Sequence, residues 1–502
     1  MADFDLAIIG GGINGTGVAR DAAGRGLRVL LVEMNDLASG TSSTSSKMIH
    51  GGLRYLEKHA FRLVREALSE REVLLNMAPH VIRPARFLLP PLPGKRNALV
   101  LRFGLLLYDW LGARKVLPAS KTVDLTHHPL GDPLKRLFRY GFEYSDCLVD
   151  DSRLVVLNAL DAAEHGATVR TRTKLTRAER HDEWHLVFNT RGKRSTATAR
   201  GLVNAAGPWI GPVADTVIRV PLKAPARLIK GSHIVVRRRF EHDNGYIFQA
   251  ADGRVVFALP FAQDFTLIGT TDENFVGDVN SPAPTPEEIL YLCNTVNEYF
   301  RDKVTPDELV WSFAGVRALY DDGAGQPEDV TRDYTLMLDE TPHEAPLLTV
   351  YGGKITTHRK LAEAAMAKIG HFFQALPPWT EGSTLPGGDF PPGGFYALVA
   401  ELIGNWPFLA EPHARRLARA YGRRAEAILA NAKAFNDLGD VFTGDLTAAE
   451  VRYLMTHEWA QTAEDVLWRR TKFGLTATNE ERGALERFMA LFSAETARAP
   501  VS

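Results

Sequence analysis

Apolar residues open the chain in a short continuous run, Phe4 to Ile9 (FDLAII), which breaks at once into Gly10-Gly11-Gly12-Ile13-Asn14-Gly15. A run of that length bounded by glycines predicts a buried strand. The helical stretch that follows carries small residues, among them Val18, Ala19, Ala22 and Ala23, and a second apolar run, Leu27 to Val32, ends in Glu33. Strand, glycine turn, helix, strand and carboxylate in this order are what a dinucleotide requires. Gly10 permits the tight turn, Gly12 lets backbone N–H groups approach a pyrophosphate, and Gly15 allows close helix–sheet packing. The helix N-terminus supplies partial positive charge for the anion. Glu33, 23 positions beyond Gly10, can accept hydrogen bonds from a ribose. A lone G-x-G-x-x-G recurs by chance; with its flanking strand, helix and carboxylate it is specific.

Further along, residues 61–77 predict an amphipathic helix: Phe61, Val64, Ala67, Leu68, Leu74 and Leu75 share a stripe, with Arg65, Glu66 and Glu70 outside it. A helix–strand pattern between Leu154 and Val169 leads into strand-rich sequence (TVRTRTKLTRAER, then WHLVFN), and Leu202 to Gly207 is another apolar run closing on Ala205-Ala206-Gly207-Pro208-Trp209. Ile229–Val236, Tyr246–Phe248, Arg254–Leu259 and Thr266–Gly269 are expected strands. Leu385 to Gly394 is rich in Pro and Gly and reads as a linker, beyond which the pattern is helical. The expected fold class is therefore α/β: a Rossmann-like dinucleotide-binding domain with an interleaved mixed β-sheet domain within 1–385 (the sheet part roughly 80–145 and 215–345), a linker at 386–394, and an all-helical cap over 395–502.

Composition narrows the class of protein. A formal net charge of −1 gives no global field to recruit nucleic acid. The two cysteines, Cys147 and Cys293, lie far apart with no C-x-x-C spacing, which suits a reducing compartment and points to no disulfide framework or metal site. The first strand begins almost at Met1, with Asp3 and Asp5 where a signal peptide would carry positive charge. No apolar window is long enough to span a membrane. The nearest approach, Ala98 to Gly112 (ALVLRFGLLLYDWLG), is either a buried helix or strand pair, or a segment dipping into a lipid interface with Tyr108 and Trp110 as interfacial aromatics.

Four segments outside the first motif combine glycine with charged or hydroxyl side chains. Ser42 to Arg54 (SSTSSKMIHGGLR) is a flexible linker or, given the interleaved Met48, Ile49 and Leu53, a loop packed against something. Lys230-Gly231-Ser232-His233 opens an apolar strand, where a lone histidine is structural or an acid–base group. Gly315-Val316-Arg317 and Arg332-Asp333-Tyr334 flank an acidic loop; each arginine alone reads as a surface or salt-bridge residue. Val350-Tyr351-Gly352-Gly353-Lys354-Ile355-Thr356-Thr357 reads as strand, double glycine and helix start, a second anion-facing N-terminus without P-loop spacing.

Together with APHVIRP, GFEYSDCLVDDSRL, IGTTD, TRDYTL and the C-terminal HEWAQTAEDVLWRRTKFGL, these segments make the chain resemble, over nearly its whole length, the FAD-dependent, membrane-associated glycerol-3-phosphate dehydrogenases. These lie within the glycine- and D-amino-acid-oxidase-like flavoproteins. Two positions depart from the family pattern: Ala206 replaces a usual threonine, and His358 a usual phenol. The resemblance implies FAD contacts at Gly10, Gly12, Asn14, Gly15, Glu33, Thr41, Ser42, Ser45, Lys47, His50, Gly51, Gly52, Ala205, Gly207, Gly352, Gly353, Lys354 and Thr356. It implies substrate contacts at Arg54, Tyr55, Thr270, Arg317 and Arg332, the arginines serving as cationic forks for a phosphate dianion.

Oxidising a secondary alcohol sends hydride to the flavin while the hydroxyl proton leaves, so a base is required. His233 is assigned that part because neutral imidazole accepts a proton near neutral pH; Lys354 would stabilise growing negative charge, and Arg317 completes the catalytic set. Whether His233 or Lys354 is the base stays open at this stage. The resemblance further implies electron transfer to membrane quinone, peripheral attachment to the inner face of the cytoplasmic membrane, and a homodimer as one admissible state. Rival readings are an oxidase delivering electrons to O₂, an amino-acid oxidase on the same fold, and a flavin-binding scaffold without turnover.

Overall fold

Phe4–Ile9 lies at the centre of an eight-stranded sheet, parallel to Val29–Val32 on one side and to Lys193–Asn204 on the other. Thr168–Arg170 and Leu347–Tyr351 extend it in parallel, Thr335–Asp339 closes one edge antiparallel, and the hairpin Thr173–Arg180/Trp184–Thr190 hangs from Lys193–Asn204. Unbroken apolar runs form these strands because helices cover them. Ile13–Gly24 lies against both Asp151–Glu164 and His358–Ile369, and its alanines permit the close approach. This is a computed structural model of the chain, described over residues 2–56, 59–92, 98–112, 116–321, 323 and 333–498.

A second, ten-stranded, mostly antiparallel sheet carries the other half of the site. Ala226–Arg237 pairs with Leu309–Tyr320 and with Phe265–Gly269, and the sheet runs on through Val255–Phe261, Gly245–Gln249, Ile82–Leu89 and Tyr140–Val149. The two-residue strand Met48–Ile49 pairs with Tyr140–Val149 and so carries the loop after the first glycine motif into this sheet. The helix Pro286–Tyr299 covers one face through Leu292, Val296 and Tyr299. A Rossmann-like dinucleotide-binding fold with an inserted mixed sheet and a helical C-terminal domain is thus the fold class observed, as expected from the sequence.

Two expectations change at the level of single helices. Phe61–Met77 is amphipathic, but Glu70 lies inside, paired with the buried Arg359 at 2.6 Å, while Phe61 is exposed. Ala98–Leu111 is one helix whose Leu105 and Tyr108 are buried, whereas Leu99, Val100, Phe103, Leu106 and Trp110 are exposed. Tyr108 is therefore no interfacial aromatic: its hydroxyl donates to the buried Asp146. Among the described residues no helix is long and apolar enough to cross a membrane.

Beyond the Pro/Gly segment, Phe395–Asn405, Glu411–Tyr421, Ala448–His457 and Asn479–Arg498 enclose a core of their own that includes Leu402, Leu417, Val451, Leu454 and Leu485. The segment itself is pinned. Leu385 is buried and its N–H donates to Met77 O at 2.8 Å, and a Cβ on Gly387 would meet Tyr421 O at 2.1 Å.

Candidate active site

The first glycine turn is built to admit backbone and nothing larger. Gly10 has φ +109°, and a Cβ on Gly15 would sit 1.9 Å from the Gly10 carbonyl oxygen. Gly12 caps the helix Ile13–Gly24 and faces only the Ser42 hydroxyl, to which Ile13 N–H donates at 3.0 Å. Glu33 accepts from Gly11 N–H at 2.7 Å and Asn35 N–H at 2.8 Å, and burial holds its carboxyl above the usual range.

From this turn a groove of about 200 Å³ runs past Glu33, Ser39 to Ser42, Thr173 to Leu175, Ala205 to Trp209 and Gly352-Gly353. It adjoins a larger cavity of about 900 Å³, with Ile13, Thr41, Ser42, Arg317 and Gly353 lining both. The cavity's polar wall holds Ser45, Ser46, His50, Tyr55, Thr270, Asp272, Arg317, Lys354 and Thr356. Its apolar wall runs through Phe257, Val255 and Leu89 to Val100 and Phe103 of the exposed helix. Segments that are remote in the chain thus meet around one long hollow.

Four local devices set the polar wall. Thr356 Oγ1 accepts from His50 N–H at 3.2 Å, joining the Ser42–Arg54 segment to the one that follows Gly352-Gly353. Gly51 N–H donates to Tyr108 Oη at 2.8 Å; Asp146, which receives the Tyr108 hydroxyl and Arg71, is raised to about 6 by burial against their pull. Gly352 (φ +63°) and Gly353 (φ +90°) turn the chain beside Asn14, whose amide donates to Gly352 O at 3.0 Å. Lys354 Nζ lies 3.8 Å from the centre of the Tyr55 ring.

Two of the sequence-assigned residues stand behind the wall and not on it. Lys47 is buried with its ammonium 2.9 Å from both Asp151 oxygens and from Ser43 O, and Ser45 Oγ donates to the same carboxylate at 2.7 Å. His233 is fully buried, its ring stacked on Phe313 at 4.9 Å and its Nε2 2.9 Å from Ser46 Oγ. Burial, with Lys47 and Arg317 nearby, pulls its pKa well below 6.5. Arg317 faces the cavity from Leu309–Tyr320 and is held by Asp272 at 3.1 Å. The Arg54 side chain and Arg332 lie outside the described residues. Ser46 and Asp272 were not singled out from the sequence, although both lie in segments that were, SSTSSK and IGTTD.

The hollow fits FAD on its own terms: a glycine cradle at a helix N-terminus, a carboxylate beside it, and Asn14 Oδ1 buried without a hydrogen-bond partner among the described residues. The model of the FAD dependent oxidoreductase family matches residues 5–357, and that of the C-terminal domain of alpha-glycerophosphate oxidase matches 378–499. The chain is 50% identical to D-erythritol 1-phosphate dehydrogenase of Brucella abortus over 96% of each protein, and 49% identical to glycerol-3-phosphate dehydrogenase of Pseudomonas aeruginosa over 97% of this chain and 95% of that one. The crystal structure of glycerol-3-phosphate dehydrogenase from Bacillus halodurans complexed with FAD superposes with a TM-score of 0.75 at 26% identity, covering 99% of this chain and 96% of that one. FAD is the cofactor, and the chain belongs to the glycerol-3-phosphate dehydrogenase family of FAD-dependent oxidoreductases.

Proposed function

We propose that the chain oxidises sn-glycerol 3-phosphate at carbon 2 to dihydroxyacetone phosphate and passes the electrons to a membrane quinone. The observation that carries this reading is the meeting of Arg317 and Lys354 in one cavity beside the glycine-lined groove. Two cations at that point suit a phosphate dianion and the negative charge that grows during oxidation. The relatives' names support the choice of polyol phosphate.

Bound FAD supplies the hydride acceptor. Around it, Arg317, oriented by Asp272, takes the phosphate with Arg54, Arg332, Tyr55 and Thr270. Lys354 stabilises developing charge. His233, which burial holds neutral and hence able to accept, takes the hydroxyl proton at Nε2 transiently as the hydride leaves, and since Ser46 stands between that nitrogen and the cavity, the proton passes through the Ser46 hydroxyl. The exposed apolar face of Ala98–Leu111 rests on the bilayer surface, and the apolar cavity wall that reaches Val100 and Phe103 gives quinone its approach.

Anaerobic titration of the holoprotein with glycerol 3-phosphate tests this, read as bleaching of the oxidised flavin at its visible maximum. No bleaching refutes the activity. A His233→Ala variant that reduces at full rate while Lys354→Ala does not would exchange the two roles. Oxygen uptake with peroxide, in place of quinone-dye reduction, would identify an oxidase.

The Brucella relative brings in a second substrate, D-erythritol 1-phosphate, one carbon longer, which the roomy cavity also admits. Paired titrations with the two compounds decide between them by the faster bleaching.

A further inference from the structure

The C-terminal domain contributes no residue between 465 and 472 to the groove or the cavity, yet this segment is bonded to the outer side of two stretches that form the groove, the loop after Glu33 and the turn before Thr173. Asp36, three positions beyond Glu33 and 1% exposed, receives Arg469 Nε at 2.6 Å and Arg470 Nη1 and Nη2 at 2.8 and 2.9 Å. The loop so held runs on to Ser39–Ser42 in the groove, and its Ala38 N–H donates to Gly11 O at 3.0 Å. Asp465 receives Arg172 Nη2 at 2.6 Å; Arg172 N–H donates to Asn35 O, and Thr173 N–H to Glu33 O, both at 2.8 Å.

Lys472 completes the set. Its ammonium lies 3.2 and 3.3 Å from the two Asp150 oxygens and 3.1 Å from Ser152 Oγ. The adjacent Asp151 is the residue that holds Lys47 and Ser45. Trp468 lies 4.5 Å from Trp311, which lies 4.5 Å from Phe313 on the strand that carries Arg317.

We propose that residues 465–472 are a cofactor clamp: the cap fixes the two FAD-binding loops, 33–40 and 41–47, from behind and thereby sets how tightly FAD is retained. Buried ion pairs are costly to break once made, so loops tethered in this way stay in one arrangement and FAD has less ordering to do on binding. Linkage makes the effect reciprocal. If the clamp favours bound FAD, bound FAD must favour the closed clamp, although residues 465–472 line neither the groove nor the cavity.

Hydrogen exchange of the full-length protein, stripped of FAD and then reloaded, reads this directly. FAD is expected to slow amide exchange in 465–472 as well as in the groove. Lys472→Met is expected to raise the FAD dissociation constant about tenfold. Lys472→Arg is expected to restore it, and the KM for glycerol 3-phosphate of the FAD-saturated variants should stay at the wild-type value. Near-UV circular dichroism, which reports the tilted Trp311–Trp468 ring pair, shows that the cap of each variant is folded. Exchange in 465–472 that ignores FAD, or a folded Lys472→Met protein with wild-type FAD affinity, overturns the clamp. The FAD readouts involve no substrate, so they stand apart from the polyol-phosphate assignment.

Discussion

At Gly15 any side chain collides with the Gly10 carbonyl, whose oxygen lies 1.9 Å from where a Cβ would stand. The contact is backbone against backbone, so no rotamer relieves it. Gly15→Ala is therefore expected to push the helix N-terminus off the strand and weaken FAD binding more than about tenfold, seen as loss of the flavin absorbance on purification. A yellow variant with wild-type flavin content contradicts this. His80 shows a different residue-scale constraint. It is fully buried, and neither ring nitrogen has a hydrogen-bond partner among the described residues. Burial, helped by Arg153 and Arg419, pulls its pKa from 6.5 to about 3. The folded value is the lower one, so below about pH 6.5 the unfolded chain binds a proton that the folded one refuses, and stability falls from there toward pH 3. At pH 5 this costs about 2 kcal/mol. His80→Leu should lose that slope, gaining about 2 kcal/mol on the wild type between pH 8 and pH 5 in urea unfolding at matched FAD; parallel curves for the two proteins count against it.

Element by element, the helix Ala98–Leu111 is the one whose surroundings the sequence could not supply. Its hydropathy is nearly continuous, so the pattern does not say which side is covered. Only the tertiary fold puts Leu105 and Tyr108 inside and Leu106 and Trp110 outside. If that outer face meets lipid, the double variant Leu106→Asp/Trp110→Asp should weaken vesicle binding by at least about a hundredfold, from two large apolar side chains at ~1.5–3 kcal/mol each. Flavin reduction by glycerol 3-phosphate in detergent-free solution should be unchanged. Equal co-sedimentation with vesicles rules out this face. The same division between local and distant information runs through the site. The glycine turns were legible because each is a local device of strand, turn and helix. The Ser46–His233 and Arg317–Asp272 pairs were not, because they join positions 187 and 45 residues apart. Strand register brings them together, with His233 opposite Gly269 and Met48–Ile49 clipped onto Tyr140–Val149.

Taken as one molecule, the chain reads in sequence as a flavin domain, a Pro/Gly linker and a separate helical unit, and the cap does have its own apolar core. What the sequence does not reveal is how firmly the two are joined, because the joining residues are arginines and carboxylates with no local signature. Arg153, at the start of the helix Asp151–Glu164, forms a bidentate ion pair with Glu458 of the cap, 305 positions away, and both side chains are almost wholly buried. Its guanidinium also lies 4.8 Å from the centre of the Tyr421 ring, and its Nε donates to Ala420 O at 3.0 Å. Removing one partner of such a pair leaves an uncompensated charge in the interior, at a cost of about 3–5 kcal/mol. Glu458→Gln keeps the shape and removes the charge, so the penalty falls on the interface and leaves both cores intact. Calorimetry of the wild-type holoprotein is expected to show cap and flavin domain unfolding in one transition, and that of Glu458→Gln an earlier, separate transition for the cap. Two transitions in the wild type, or one at an unchanged temperature in the variant, would mean that the domains are merely adjacent, with the ion pair contributing nothing to their union.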